Sequence, residues 1–255
     1  MTAFAWLHDA AMLSIAIGAA SALIIAVDEI KRPQMMWIMN AVWPLTALFG
    51  TVFTLWAYFR YGRATPKHDA PNHHGMTHQG PGGDSGHHHA RNQDRSSFPV
   101  KVGKGTLHCG SGCTLGDIVA EWLAFLAPVV AVWFGWRWLF ETKMFAVWIL
   151  DYVLAFTFGI AFQYFTIKPM RELSAGRALV EAVKADTASL TAWQIGMYGF
   201  MAFAHFSIFP RFLGIGLTVN SVEFWLAMQI AMLWGLATSY PVNWWLIRKG
   251  VKEAM

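Results

Sequence analysis

Long apolar runs along the chain alternate with short breaks rich in charge, glycine and proline. A helix needs roughly 20 predominantly apolar residues to cross the hydrocarbon core of a bilayer. Six runs meet that requirement, at about residues 4–27, 35–59, 115–136, 144–167, 191–210 and 222–247. The first break is Asp28-Glu29-Ile30-Lys31-Arg32-Pro33, and a long polar insert follows Arg60. The pattern predicts an all-α polytopic membrane bundle of about six transmembrane helices, with a disordered His-rich loop between helices 2 and 3. Three parts are expected: an N-terminal two-helix hairpin over 1–60, the loop over 61–104, and a four-helix membrane domain over 105–255. Between the fourth and fifth runs, residues 174–190 read as a short interfacial helix with Leu179, Val180 and Val183 on one stripe. No internal repeat is visible.

Composition strengthens the membrane reading. The chain is 56% hydrophobic and 13% charged, against roughly 25% charged in soluble domains. Its 14 Trp and 19 Phe suit helix packing and the interfacial belts where tryptophan collects. A net charge of +4 does not point to nucleic acid, because the basic residues sit between apolar runs and form no continuous face. They orient the chain instead. With six crossings, most Lys and Arg fall on the side holding both termini and the long insert, which the positive-inside rule assigns to the cytoplasm at the cell inner membrane. Lys31 and Arg32 run against that assignment. No Lys or Arg precedes Lys31, so a cleaved signal peptide is not expected and the first run stays in the protein.

The insert from about 63 to 97 contains scarcely an apolar residue and cannot bury enough surface to offset the entropy of ordering. It carries His68, His73, His74, His78, His87, His88 and His89, with Met76 and Asp84 among them. Such a tract offers neutral imidazoles to Zn, Cu, Ni or Co without needing a fold. A linker that binds nothing fits the composition too.

The sharper feature is His108-Cys109-Gly110-Ser111-Gly112-Cys113-Thr114-Leu115-Gly116-Asp117, which holds both cysteines of the chain. Three small residues between them allow the backbone to fold back and bring both sulfurs to one ion, with His108 as a third donor. Two thiolates and an imidazole suit Cu(I) or Zn(II); a disulfide or inert thiols remain open. Cys113, Asp117 and Glu121 recur every four residues, so on a helix they form one ridge running into the bilayer. Ionisable groups inside a span are costly and usually face a protein interior or an aqueous path, which makes Glu121 and Asp151 functional candidates. Thr114-x-x-Asp117 is equally a capping box, and Glu121 a candidate for a purely structural hydrogen bond. Met197, Met201 and His205 repeat at the same spacing, as do Met228 and Met232, although methionine is also a common packing residue. His205 is expected to pair with Asp151, and His8 and Asp9 to cap the first helix. Pro241 should kink or unwind the sixth span, leaving a polar vestibule with Gln163 and Gln194.

The string from His108 to Asp117, with Phe158-Gly-Ile-Ala-Phe-Gln-Tyr-Phe165, Lys184-Ala-Asp-Thr187, Thr191-Ala-Trp-Gln-Ile-Gly-Met-Tyr-Gly199 and Thr238-Ser-Tyr-Pro-Val-Asn-Trp-Trp-Leu-Ile247, resembles a prokaryotic membrane family labelled domain of unknown function 4396. The resemblance runs from about residue 105 to the C-terminus and implies a membrane domain without a mechanism. The residues themselves point to handling of a soft or borderline metal ion, copper or zinc, by transport or delivery across the membrane. The expected metal site comprises His108, Cys109, Cys113, Asp117, Glu121, Asp151, Met201 and His205, with no catalytic residue. The expected partners are the lipid bilayer, the metal ion and either a second copy of the chain or a metal chaperone. A non-transporting scaffold or assembly factor and a thiol redox protein are the alternatives.

Overall fold

The computed structural model describes residues 5–34, 36–64, 96–171, 173–214 and 216–253; the His-rich tract at 68–89 lies outside them. The all-α expectation holds: among the described residues the only β feature is a single bridge between Trp136 and Phe140. The helices are α1 (Ala5–Lys31), α2 (Met39–Ala57), α3 (Phe98–Leu126), α4 (Val129–Trp133), α5 (Lys143–Arg171), α6 (Ala175–Phe203) and α7 (Val222–Arg248). Wider π-helical turns prolong α2 over Tyr58–Gly62 and α6 over Ala204–Leu213. Three segments, Ala5–Lys31, Met39–Gly62 and Lys143–Lys168, are long and apolar enough to cross a membrane. α1 turns Trp6, Leu13, Leu23 and Ile30 outward, each well exposed, as a helix facing lipid does.

The second of these segments does not run straight. Thr51 adopts φ 47°, ψ −125°, a conformation that costs a β-branched residue of order 1–3 kcal/mol. Beyond it the chain reverses. The Trp43 and Tyr58 rings pack edge to face at 5.5 Å, and the Thr54 hydroxyl donates to the Thr46 carbonyl at 3.3 Å. In a straight helix, residues 15 apart would be separated by about 22 Å. α2 is therefore a hairpin that enters the bundle and returns, and the expected span at 35–59 is corrected to two short arms. Its tip reaches mid-bundle: Gln229 of α7 donates to the Leu48 carbonyl at 2.6 Å, and Phe49 packs on Trp193 of α6 at 5.7 Å. Its base is tied to the end of α1. There Asp28 accepts from Tyr58 at 2.8 Å and from Arg63 at 2.7 Å.

Cross-links fix the helix directions. His8 meets Glu223 at 2.8 Å and Ser14 donates to Gln229 at 2.7 Å, so α1 and α7 run parallel. Gly112 abuts Gly159 and Gly116 abuts Ala155, so α3 and α5 are antiparallel. One end of the bundle thus gathers the end of α1, both arms of α2, and the ends of α3, α5, α6 and α7 nearest Phe98, Arg171, Ala175 and Arg248. The opposite end holds Ala5, Leu126, Lys143, Phe203 and Val222. The first and last described residues, Ala5 and Glu253, consequently lie at opposite ends of the bundle, against the expectation that both termini share a side. Of the 19 Lys and Arg, Arg137, Lys143 and Arg211 belong to the second end. The other described ones lie in segments at or nearer the first, hereafter the basic end. Lys31 and Arg32, the exceptions under six crossings, now agree with the rest.

Other boundaries shift too. α3 starts at Phe98 and stops at Leu126 before Pro128, so the expected span at 115–136 is displaced and residues 98–104 are helical instead of loop. The short helix at 174–190 and the fifth span are one continuous rod, with Leu179 and Val180 about half exposed on it. Pro241 does not unwind α7, which continues to Arg248.

α3 is the axis of the bundle. From His108 to Thr114 every residue is buried, because α2, α5, α6 and α7 surround it. Such close approach needs small residues: a Cβ at Gly112 would lie 2.6 Å from the Gly159 Cα. Gly110 accepts the Trp193 ring, which is held from the other side by Gly235 of α7.

Candidate functional site

Four levels of polar side chains run along α3, and the structure sorts the expected site residues among them. At the basic end His108 is fully buried beside Phe162, and neither ring nitrogen has a hydrogen-bond partner. Near it Lys252, fully buried beyond the end of α7, donates to Asp186 at 2.6 Å and to the Gly105 carbonyl at 3.5 Å. Burial pulls the Lys252 ammonium towards neutrality, but the Asp186 carboxylate outweighs it and the pKa stands above the ordinary lysine value.

One step inward, Ser189 of α6 donates to the Cys109 sulfur at 3.2 Å. Ser239 and Asn243 of α7 complete this knot, Asn243 donating to the Ser189 hydroxyl at 2.6 Å. Cys113 follows one helical turn along. Both cysteines are buried free thiols. The intervening glycines and serine do not fold back; they are helical, so it is the four-residue spacing that puts the two sulfurs on one ridge. Neighbouring Cβ atoms at that spacing are about 5–6 Å apart, beyond the roughly 3.5–4.5 Å of a disulfide. Closing one would unwind the centre of α3.

The third level is carboxylate. Asp117 sits in mid-helix and not at a cap. The Thr114 hydroxyl donates back to Gly110 at 2.8 Å, and the capping-box reading fails for that reason. Asp117 faces Asp151 of α5 and accepts from Gln194 of α6 at 3.4 Å. The remaining Asp117 oxygen, both Asp151 oxygens and the Gln194 carbonyl oxygen have no hydrogen-bond partner.

At the fourth level Glu121, only 7% exposed, lines a cavity of about 290 Å³ shared with Lys143, Met201 and His205. The Lys143 ammonium donates to the Ala124 carbonyl at 2.7 Å. His205 thus keeps company with Glu121 and does not pair with Asp151, because the chain widens into π-helical turns from Ala204 and the four-residue register from Met197 is lost. Met197, Met228 and Met232 pack in the core with Trp193, as packing residues do. His8 pairs with Glu223 of α7 instead of capping α1. The expected vestibule separates as well: Gln194 belongs to the Asp117 level, whereas the residue beside Gln163, Phe162, lies against His108.

The eight expected ligands are therefore spread along the axis. Among the described residues no three His, Cys, Asp or Glu side chains converge on one metal position. Four polar participants escaped the sequence reading: Asp186, Ser189, Asn243 and Lys252. The spacing of Ala178, Ala182, Ala185 and Ser189 was the available signal, since it marks one small-residue face on α6.

A family described as a domain of unknown function, DUF4396, matches residues 100–252. The match begins in the first turn of α3 and ends on Lys252, so it takes in every level of the polar axis and leaves out α1 and α2. No curated protein and no solved structure matches the chain.

Proposed function

The chain belongs to the DUF4396 family, whose description assigns no activity, and we propose from the geometry that it is a multi-pass inner-membrane protein that transports or delivers a soft metal ion. The observation that carries this reading is the pair of thiols stacked one turn apart on a helix buried on every side. Sulfur donors select soft or borderline cations. Metal–sulfur distances near 2.3 Å let two sulfurs about 4.6 Å apart share one ion. Zn(II) asks for four ligands in a closed site, and among the described residues no third His, Cys, Asp or Glu joins the two sulfurs, so Cu(I) is the favoured cargo.

Two further features support movement over mere storage. The α2 hairpin brings non-helical backbone to mid-bundle, and such backbone is tolerated at membrane depth only where protein or a cavity surrounds it. Carboxyl groups continue the ridge beyond the sulfurs, at a cost of roughly 2.5–3.5 kcal/mol each at a bilayer centre. With α2 turning back, five helices cross, and the positive-inside rule puts the basic end, with the thiols nearer to it, in the cytoplasm.

Competition against a Cu(I) chelator on purified protein tests the reading. One Cu(I) per chain is expected, lost in Cys109→Ser/Cys113→Ser; an unchanged stoichiometry in that double variant rejects it. The helical spacing of the two sulfurs speaks for ion binding over a disulfide cycle.

A further inference from the structure

The third level of the axis differs from the thiol pair in every chemical respect. Its donors are all oxygen and come from three helices: Asp117 of α3, Asp151 of α5 and Gln194 of α6. Each side chain is at least 98% buried, at 0%, 1% and 2% exposure respectively. The Gln194 amide nitrogen is spent on Asp117, but its carbonyl oxygen, the second Asp117 oxygen and both Asp151 oxygens lack any donor. Four buried acceptors at one level are costly unless something positive meets them. The lysine at the far end does not do so, since Lys143 donates to the Ala124 carbonyl. Tyr198 comes within hydrogen-bonding reach of Asp151, but its hydroxyl proton goes to the Trp148 carbonyl at 2.9 Å, and it brings no positive charge.

We infer that Asp117, Asp151 and Gln194 form a second ion site, specific for a hard divalent cation of the Mg²⁺ or Mn²⁺ class and separate from the thiol pair. Hard cations take carboxylate, carbonyl and water oxygens, whereas soft ions prefer sulfur. Two carboxylates in a low-dielectric interior are neutralised by one divalent ion and left at −1 by a monovalent one. The approach runs from the end opposite the basic one, where the lining of a cavity stops at Glu121, short of the two aspartates. The cavity of about 290 Å³ reaches Glu121, one turn of α3 from Asp117, and its volume holds on the order of ten waters at 30 Å³ each. A hydrated ion can shed water there before meeting the two aspartates. The site goes beyond the proposed soft-metal function and stands or falls separately from it.

Mn²⁺ is the probe. Titration of purified full-length protein in detergent, followed by loss of the free Mn²⁺ electron paramagnetic resonance signal, should give one bound ion per chain, displaced by Mg²⁺. Asp117→Asn and Asp151→Asn should each weaken Mn²⁺ by about tenfold or more. Both changes are isosteric and remove a buried charge, so the variants should elute and melt as folded protein. Gln194→Met, which keeps both carboxylates, should weaken binding less. Cys109→Ser/Cys113→Ser should leave Mn²⁺ binding untouched while abolishing Cu(I) binding. Absence of Mn²⁺ binding to the wild type, or full retention in both Asn variants, overturns the site whatever the Cu(I) result.

Discussion

Asp186 and Asp151 are both aspartates with almost no solvent exposure in the same bundle, and they are treated in opposite ways. Asp186 has an internal counter-ion, the Lys252 ammonium at 2.6 Å. Asp151 has no cationic partner among the described residues; its carboxyl faces another carboxyl, that of Asp117. A charge that brings its own partner holds structure together, and one left without a partner awaits something from outside. In the proposed reading the contrast separates the scaffold of this protein from its working part, although both lie on the same axis.

Five substitutions break or sharpen that contrast. The largest effect is expected from Lys252→Met, which strands Asp186 as an uncompensated buried charge and should cost about 3–5 kcal/mol in detergent unfolding. Adding Asp186→Asn to it should recover most of the loss. Because the folded-state pKa of Lys252 is raised, the pair's contribution is complete below the unfolded lysine pKa of about 10.4. It disappears as pH climbs through the folded value. Melting temperatures at alkaline pH should therefore fall in the wild type, and this component of the fall should be missing in Lys252→Met. Asp151→Asn should move stability the other way, by about 1–4 kcal/mol in the absence of divalent ions; a destabilised variant would show that Asp151 is already satisfied.

Gly112→Val disturbs neither pair directly but forces α3 from α5, where a Cβ would lie 2.6 Å from Gly159. It should cost about 1–3 kcal/mol and weaken Cu(I) and Mn²⁺ binding together, which a site-specific change would not do. The smallest effect is Thr51→Gly. It relieves the left-handed backbone at the hairpin tip and should raise the melting free energy by about 1 kcal/mol.

Much of this was legible in the residues, for identifiable reasons. α1, α5 and α7 follow from apolar runs, and the ridge from Cys113 to Glu121 from its four-residue spacing. The beginning of α3 was hidden because residues 98–114 are rich in glycine, serine and threonine. From His108 to Thr114 those residues face protein on all sides, so hydropathy does not mark them. The hairpin was hidden for a different reason: residues 39–62 are apolar enough to cross, and composition does not distinguish a helix that crosses from two arms that enter and return. Lys252 and Asp186 are 66 positions apart, a separation no local periodicity reports. The failed pairing of His205 with Asp151 traces to the π-helical widening after Phe203, which a strict helical count passes over.

The reversal at Thr51 also changes the parity of the chain in a membrane. Under the proposed five crossings, a reporter joined ahead of α1 and another joined behind α7 read out different compartments, where six crossings would have them agree. One that fluoresces only in the cytoplasm and one that is active only outside it, exchanged between the two positions, should each work at a single position, and not at the same one.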